Sequence, residues 1–159
     1  MNSISLAFRW KIFLFFRLLI PMLGYAKPKI VELSSQRCVV KIPLRWRTKN
    51  HLRSMYFGAL CIGAEISVGL LAMEHIQKQS HKIDLIFKDF HADFLKKGDR
   101  DVTFVCDSGE ELKNLIDQSS QSSQRLETSI SGYAYTNQSD EPVMKYSLTI
   151  SVKNRSISC

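Results

Sequence analysis

Glu65 is the one acidic or basic side chain between Arg53 and Glu74, inside the apolar stretch NHLRSMYFGALCIGAEISVGLLAME that spans 50–74. A carboxylate in apolar surroundings costs several kcal/mol unless it is paired, protonated or put to use. Kept ionised, it is a general base or a nucleophile. The helix implied by the apolar stretch starts near Tyr56, which puts the N–H groups of Phe57 and Gly58 at its N-terminus. Such groups have no partner within the helix and carry partial positive charge, so they suit a developing anion. Just upstream, Asn50 offers a carboxamide, and Arg45, Arg47, Lys49 and Arg53 offer cations of the kind that meet phosphate groups.

The segment that carries Glu65 needs a particular surrounding. Residues 55–73 are long enough to span a bilayer, but they hold Glu65 and the small residues Gly58, Ala59, Gly63, Ala64, Ser67, Gly69 and Ala72. Each glycine costs a helix about 1 kcal/mol relative to alanine, a cost accepted where something must approach the backbone closely. A sheet wrapped around a central helix over 56–77 meets that condition and explains a helix apolar nearly all round.

The remaining pattern supplies the sheet. Strands are expected at 29–33 and 37–44. Ile83, Leu85 and Phe87 alternate, the phase slips near Asp89, and Phe90, Ala92 and Phe94 continue, as in a long strand with a bulge. Gly98-Asp99 reads as a turn, with Val102, Phe104 and Cys106 on the return strand. Ser108 and Glu111 have capping-box spacing ahead of a short amphipathic helix with Leu112, Leu115 and Ile116. The run QSSQSSQ at 118–124 reads as an exposed connection. Two alternating strands, Leu126 to Ala134 and Met144 to Val152, flank a hairpin turn at 137–142. The expected class is α+β: a single domain over 1–159, with about six mostly antiparallel strands curved around one long helix.

At the N-terminus, Arg17 interrupts the apolar run FRWKIFLFFRLLIPMLGYA and Pro21 closes it, unlike a secretory leader. Phe8, Ile12, Phe15, Phe16 and Leu19 follow helical spacing, so an amphipathic helix over 1–24 is expected, docked on the domain or on a membrane surface. The four cysteines, Cys38, Cys61, Cys106 and Cys159, are far apart and form no CxxC, which suggests free thiols in a reducing compartment, the cytoplasm. The net charge of +7 favours acidic partners. No nucleic-acid module accompanies the basic residues, and His51, His75, His81 and His91 show no ligand spacing for a metal.

Three pieces of sequence resemble the hotdog-fold thioesterase superfamily: IPMLGYAKPKIVEL, IPLRWRTKNH and SMYFGALCIGAE. The resemblance extends from about Phe8 to Val152 and points to a branch of largely unassigned function related to the phenylacetate-degradation type of acyl-CoA thioesterase. In the better-known members an asparagine precedes a His-Gly-Gly turn, and an acidic residue follows nine positions after the histidine. Asn50 matches the asparagine, Tyr56 stands at the histidine position, Phe57 at the first glycine, Gly58 keeps the second, and Glu65 takes the acidic position. Arg53 replaces a small residue common just before the turn.

The resemblance implies a hotdog fold and hydrolysis of an acyl thioester, with coenzyme A entering as part of the substrate and no separate cofactor. Glu65 would be base or nucleophile, the Phe57 and Gly58 N–H groups the oxyanion donors, and Asn50 a contact to the substrate carbonyl or the water. Arg45, Arg47, Lys49 and Arg53 would meet the coenzyme A phosphates. Tyr56, in place of histidine, leaves open the alternative of a non-catalytic acyl-thioester or lipid-binding hotdog protein. Phe57 and Glu65 lie eight residues apart, roughly 12 Å along a helix. One thioester carbon cannot touch both within one chain, so an active site implies a homodimer, or a dimer of dimers, whose sites are shared.

Overall fold

A computed structural model of the chain describes Leu14, residues 18–136 and residues 141–157. Helix α1 (Pro21–Tyr25) leads into β1 (Lys29–Leu33) and β2 (Cys38–Ile42). The long helix α2 (Phe57–Ile76) follows, then β3 (Ile83–Phe94), β4 (Val102–Cys106), helix α3 (Gly109–Ser120), β5 (Leu126–Thr136) and β6 (Met144–Asn154). Most of the amphipathic helix expected over 1–24 lies outside the described residues, as do 137–140 of the expected hairpin turn.

The six strands form one sheet in the order β1-β2-β4-β5-β6-β3, and every neighbouring pair is antiparallel. The slip expected near Asp89 is a bulge: the β3–β6 register shifts between Phe87 and Asp89. One expectation is corrected. Val102 to Cys106 is a strand, but it does not return along β3; it pairs with β2 and β5, while β3 crosses to the far edge beside β6. Burial explains this. All five residues of β4 are buried, so it needs a neighbour on each side and cover on both faces. The long β3 is half exposed and tolerates an edge.

Helix α2 is long and apolar enough to cross a membrane, yet most of it is buried against β2, β4 and α3. The close approach expected from its small residues is explicit at Gly63. A Cβ there would lie 2.2 Å from the Phe104 ring, which is itself fully buried. Burying Leu60, Ile66, Val68, Leu70 and Leu71 contributes about 1.5–3 kcal/mol each. Tyr146 then ties helix to sheet: its ring lies over Gly132, and its hydroxyl is 2.8 Å from Ser67 Oγ and donates to the Val105 carbonyl at 3.0 Å.

Two further expectations change. Ser108 stands at the N-cap of α3 but makes no side-chain capping bond, so the capping box does not form. Instead the α3 start is held by β1–β2: Gly109 N–H donates to the Gln36 carbonyl, and Gln36 Nε2 donates to Glu110 at 3.0 Å. The QSSQSSQ run is helical as far as Ser120, because the hydroxyls of Ser119 and Ser120 bond back to the carbonyls of Ile116 and Asp117, and Asn154 caps the Ser120 carbonyl.

Gly63→Ala is expected to destabilise the fold by about 2 kcal/mol or more, through overpacking against a ring that cannot retreat. At Gly69 a Cβ would sit 3.5 Å from Phe87, an ordinary contact, so Gly69→Ala is expected to be neutral or stabilising by up to about 1 kcal/mol. Urea denaturation of the two variants checks the contrast.

Candidate functional site

One stripe of α2 escapes the sheet. Phe57, Cys61, Glu65, Gly69 and Met73 recur every four residues and none of them is buried, whereas most of the residues between them are. The edge strand β3 runs beside this stripe. Phe94 packs against Phe57 with ring centroids 5.5 Å apart, and Phe87 lies next to Gly69. Glu65 falls between these two anchor points.

Glu65 is half-buried, and burial alone pushes its carboxyl above the ordinary glutamate range. Among the described residues no hydrogen bond or ion pair compensates it. The Cys61 thiol, one turn earlier, is also pushed up, by burial first and by the neighbouring Glu65 charge to a lesser degree. Cys61 was not singled out as a site residue in the sequence, although its i, i+4 spacing from both Phe57 and Glu65 is the signal that places it on this stripe.

The helix N-terminus is open. Tyr56 is the N-cap, with φ −66° and ψ 141°, and makes no side-chain capping bond. Its carbonyl accepts from Ala59 and Leu60, and among the described residues the N–H groups of Phe57 and Gly58 donate to nothing. The turn is held from behind: Met55 N–H donates to the Gly98 carbonyl and Tyr56 N–H to the Thr48 carbonyl, both at 2.7 Å. The Tyr56 ring leans on Gly58, where a Cβ would lie 2.6 Å from Cε1. A side chain at position 58 would displace this exposed ring.

Asn50 organises the loop before the helix. Its side-chain oxygen accepts from the N–H groups of Leu52 (2.9 Å) and Ser54 (3.2 Å) and is 3.2 Å from the Ser54 hydroxyl. That oxygen is committed to a turn, which leaves the NH2 group as the part of Asn50 that can address a ligand. Arg53 sits in this turn at φ 60°. A left-handed conformation of this kind favours glycine, which accounts for a small residue suiting the position.

The four cations divide. Arg45 lies 3.9 Å from Asp101 and also donates to the Leu44 carbonyl. Arg47 is stacked over Tyr25 and Trp46, 5.1 Å from each ring centroid. Lys49 and Arg53 are exposed and make no ion pair among the described residues. No group of three or more His, Cys, Asp or Glu among the described residues could hold a metal ion. His75 is instead bonded to the Ser35 carbonyl at 2.8 Å.

A concavity of about 580 Å³ is lined by His91, Asp93, Tyr133, Lys145 and Ser147, with Gly132 and Tyr146 among others. The first five alternate with the core residues Ala92, Ala134, Met144 and Leu148 along their strands, so the groove opens on the side of the sheet away from α2. It is separate from the Glu65 stripe.

A curved antiparallel sheet of six strands around one apolar helix is the hotdog fold, and solved structures share it. A Pseudomonas aeruginosa protein described as a probable thioesterase is similar with a TM-score of 0.75 and 18% identity, over 92% of this chain and 96% of that one. A thioesterase from Haemophilus influenzae gives a TM-score of 0.69 and 14% identity, over 96% and 93%. A Chlorobaculum tepidum protein of unknown function gives 0.77 and 15%, over 91% and 93%. The likeness at these identities is one of fold. The chain belongs to the family described as domain of unknown function DUF4442, which matches residues 9–152. A comparison with curated proteins finds no match.

Because folding raises the Glu65 pKa, this group favours the native state most below the ordinary glutamate value, and that contribution falls away as pH rises through the raised pKa. Glu65→Gln is therefore expected to raise the urea midpoint near pH 7 and to leave it unchanged near pH 4. Equal midpoints at both pH values would contradict the burial argument.

Proposed function

We propose that the protein is an acyl-CoA thioesterase whose active site is completed across a homodimer. The observation that carries this reading is the pairing, on one uncovered stripe, of an uncompensated half-buried carboxylate with an uncapped helix N-terminus. Glu65 takes a proton from the water that attacks the thioester carbon, or attacks that carbon itself to give an anhydride that water then opens. The carbonyl oxygen gains charge against the N–H groups of Phe57 and Gly58, the C–S bond breaks, and coenzyme A leaves as its thiol with a proton taken from Glu65 or from water. The NH2 group of Asn50 holds the carbonyl or the water. Lys49 and Arg53, beside the helix start, meet the phosphates of coenzyme A, with Arg45 and Arg47 behind them. The raised pKa suits Glu65 to act as a base closer to neutral pH than an ordinary glutamate.

The edge strand supports the dimer. β3 is twelve residues long, unpaired on one side among the described residues, and exposes Ile86, Phe90 and Phe94. A long edge strand with exposed aromatic side chains is favoured by cover. Antiparallel pairing of two β3 strands about a two-fold axis sets the two α2 helices antiparallel as well, because α2 and β3 are fixed to each other at Phe57–Phe94 and Gly69–Phe87. In the register that sets the Phe57 end of one helix beside Glu65 of the other, the separation of roughly 12 Å within one chain ceases to matter.

A non-catalytic acyl-thioester or lipid-binding role is the second reading, and it is favoured by Tyr56, whose ring lies on Gly58 at the donor end. Hydrolysis assays over short, long and aryl acyl-CoAs separate the two. Turnover is expected, and Glu65→Gln is expected to lose at least about tenfold in kcat while the dimer persists. Its pH profile is expected to show an acid limb above the ordinary glutamate value of about 4.3. Binding without turnover in the wild type supports the second reading. Unchanged turnover in Glu65→Gln removes Glu65 from the mechanism.

Phe90→Lys, at the centre of β3, is expected to shift the protein toward monomer in size-exclusion chromatography and to lower turnover with it. A monomer with full activity would contradict the shared site.

A further inference from the structure

The charge of this chain is divided unevenly. Residues 1–64 hold 11 of the 22 Lys and Arg and one of the 15 Asp and Glu, Glu32, whereas residues 65–159 hold 11 and 14. The basic part also carries an exposed apolar surface that neither the fold nor the proposed active site uses. Helix α1 is anchored to the core by Leu23, followed by the buried Ala26, and turns its other side outward. Leu18, Leu19 and Met22 are 69%, 70% and 67% exposed. Next to them Tyr25 meets Trp46, itself 68% exposed, edge to face at 6.4 Å. The Arg47 guanidinium lies over both rings. Residues 18–25 and the 45–49 loop, joined where Tyr25 meets Trp46, thus carry exposed leucine, methionine, tyrosine and tryptophan, with Lys27, Arg45 and Lys49 beside them in sequence.

We propose that this surface is a docking site for a membrane bearing anionic lipids. Each of its components has a place there. Tryptophan and tyrosine prefer the headgroup level, where an apolar ring body and a polar tip are both satisfied. Leu18, Leu19 and Met22 are long enough to enter the acyl boundary, as the apolar face of an interfacial helix does. The cations, opposed by a single carboxylate in their half of the sequence, are drawn to anionic headgroups. A nucleic acid would use the cations but leave the leucines and Met22 in water. A second copy of the chain would cover the apolar residues but offers a mixed charge in return. The bilayer surface is the partner that matches both. Arg45, Arg47 and Lys49 are shared with the proposed coenzyme A contacts, whereas Leu18, Leu19, Met22 and Trp46 are not, so the inference stands or falls on vesicle binding and on those four residues.

The test uses the full chain with Trp10→Phe, which leaves Trp46 as the one tryptophan, and vesicles of phosphatidylcholine with or without about one-third phosphatidylglycerol. Sedimentation with the anionic vesicles is expected to exceed that with the neutral ones by at least about tenfold. It is expected to weaken when salt is raised from about 0.1 M to about 1 M, which shortens the Debye length from about 10 Å to about 3 Å. The Trp46 emission is expected to shift to the blue on binding. Leu19→Glu combined with Met22→Glu is expected to reduce partitioning at least about tenfold with an unchanged melting curve, since both positions are exposed. The proposal is overturned if the anionic vesicles do not bind the protein at low salt. It is also overturned if they bind it with no change in Trp46 and no effect of the double substitution. Duplex DNA competing as well as the vesicles, or the double substitution dissociating an oligomer, would assign the surface to another partner and overturn it too.

Discussion

Everything in this molecule depends on enclosing one helix that is apolar on nearly every side. The sheet must curve to reach around α2, and the reach is closest where Gly63 receives the face of Phe104. No other residue leaves room there. Tyr146 performs the matching task from β6: it crosses Gly132 and satisfies its buried hydroxyl on Ser67 and the Val105 carbonyl. A buried hydroxyl without such partners would cost about 1–3 kcal/mol, so the glycine, the serine and the tyrosine are one interdependent set. Together they fix the rotation of α2 within the sheet, and with it the stripe that remains uncovered.

That rotation decides the chemistry. Had α2 turned by a third of a circle, Glu65 would lie in the core and its burial would outweigh the gain from any single leucine. As it stands, Glu65 is dry enough for its pKa to rise and open enough to be reached. The same stripe begins at the uncapped N–H groups of Phe57 and Gly58. The loop before the helix has no freedom to close that end, because Asn50, Thr48 and Gly98 hold it by backbone bonds.

Much of this was legible in the sequence, and the reasons differ by element. The small residues of α2 announced a close approach, and Gly63 makes one. The phase slip at Asp89 announced the bulge, because side-chain alternation follows the pleat directly. The position of β4 was not legible: local sequence suggests a hairpin after Gly98, and only three-dimensional demand for cover on both faces moves the strand to the centre. The capping box failed because Gln36, distant in sequence, already holds the start of α3. At the site, Glu65 stood out by its apolar surroundings, and the Asn50-to-Glu65 frame came from the resemblance that its motif carries. The commitment of the Asn50 oxygen to its own turn, the stacking of Arg47 and the place of Cys61 beside Glu65 were not, since each depends on how loop and helix face their neighbours.

The claim that one site needs two chains is open to a direct test by complementation. Phe57→Pro removes a proposed oxyanion donor at the first helical position, where proline is well tolerated, and the Tyr56 ψ of 141° already suits a following proline. Glu65→Gln removes the proposed base. Each variant alone should lose at least about tenfold in turnover. Co-refolded in equal amounts, half of the dimers are mixed and each carries one intact site of two, so about a quarter of the wild-type turnover should return. If the mixture stays as inactive as its components while mixed dimers are present, the shared site is wrong.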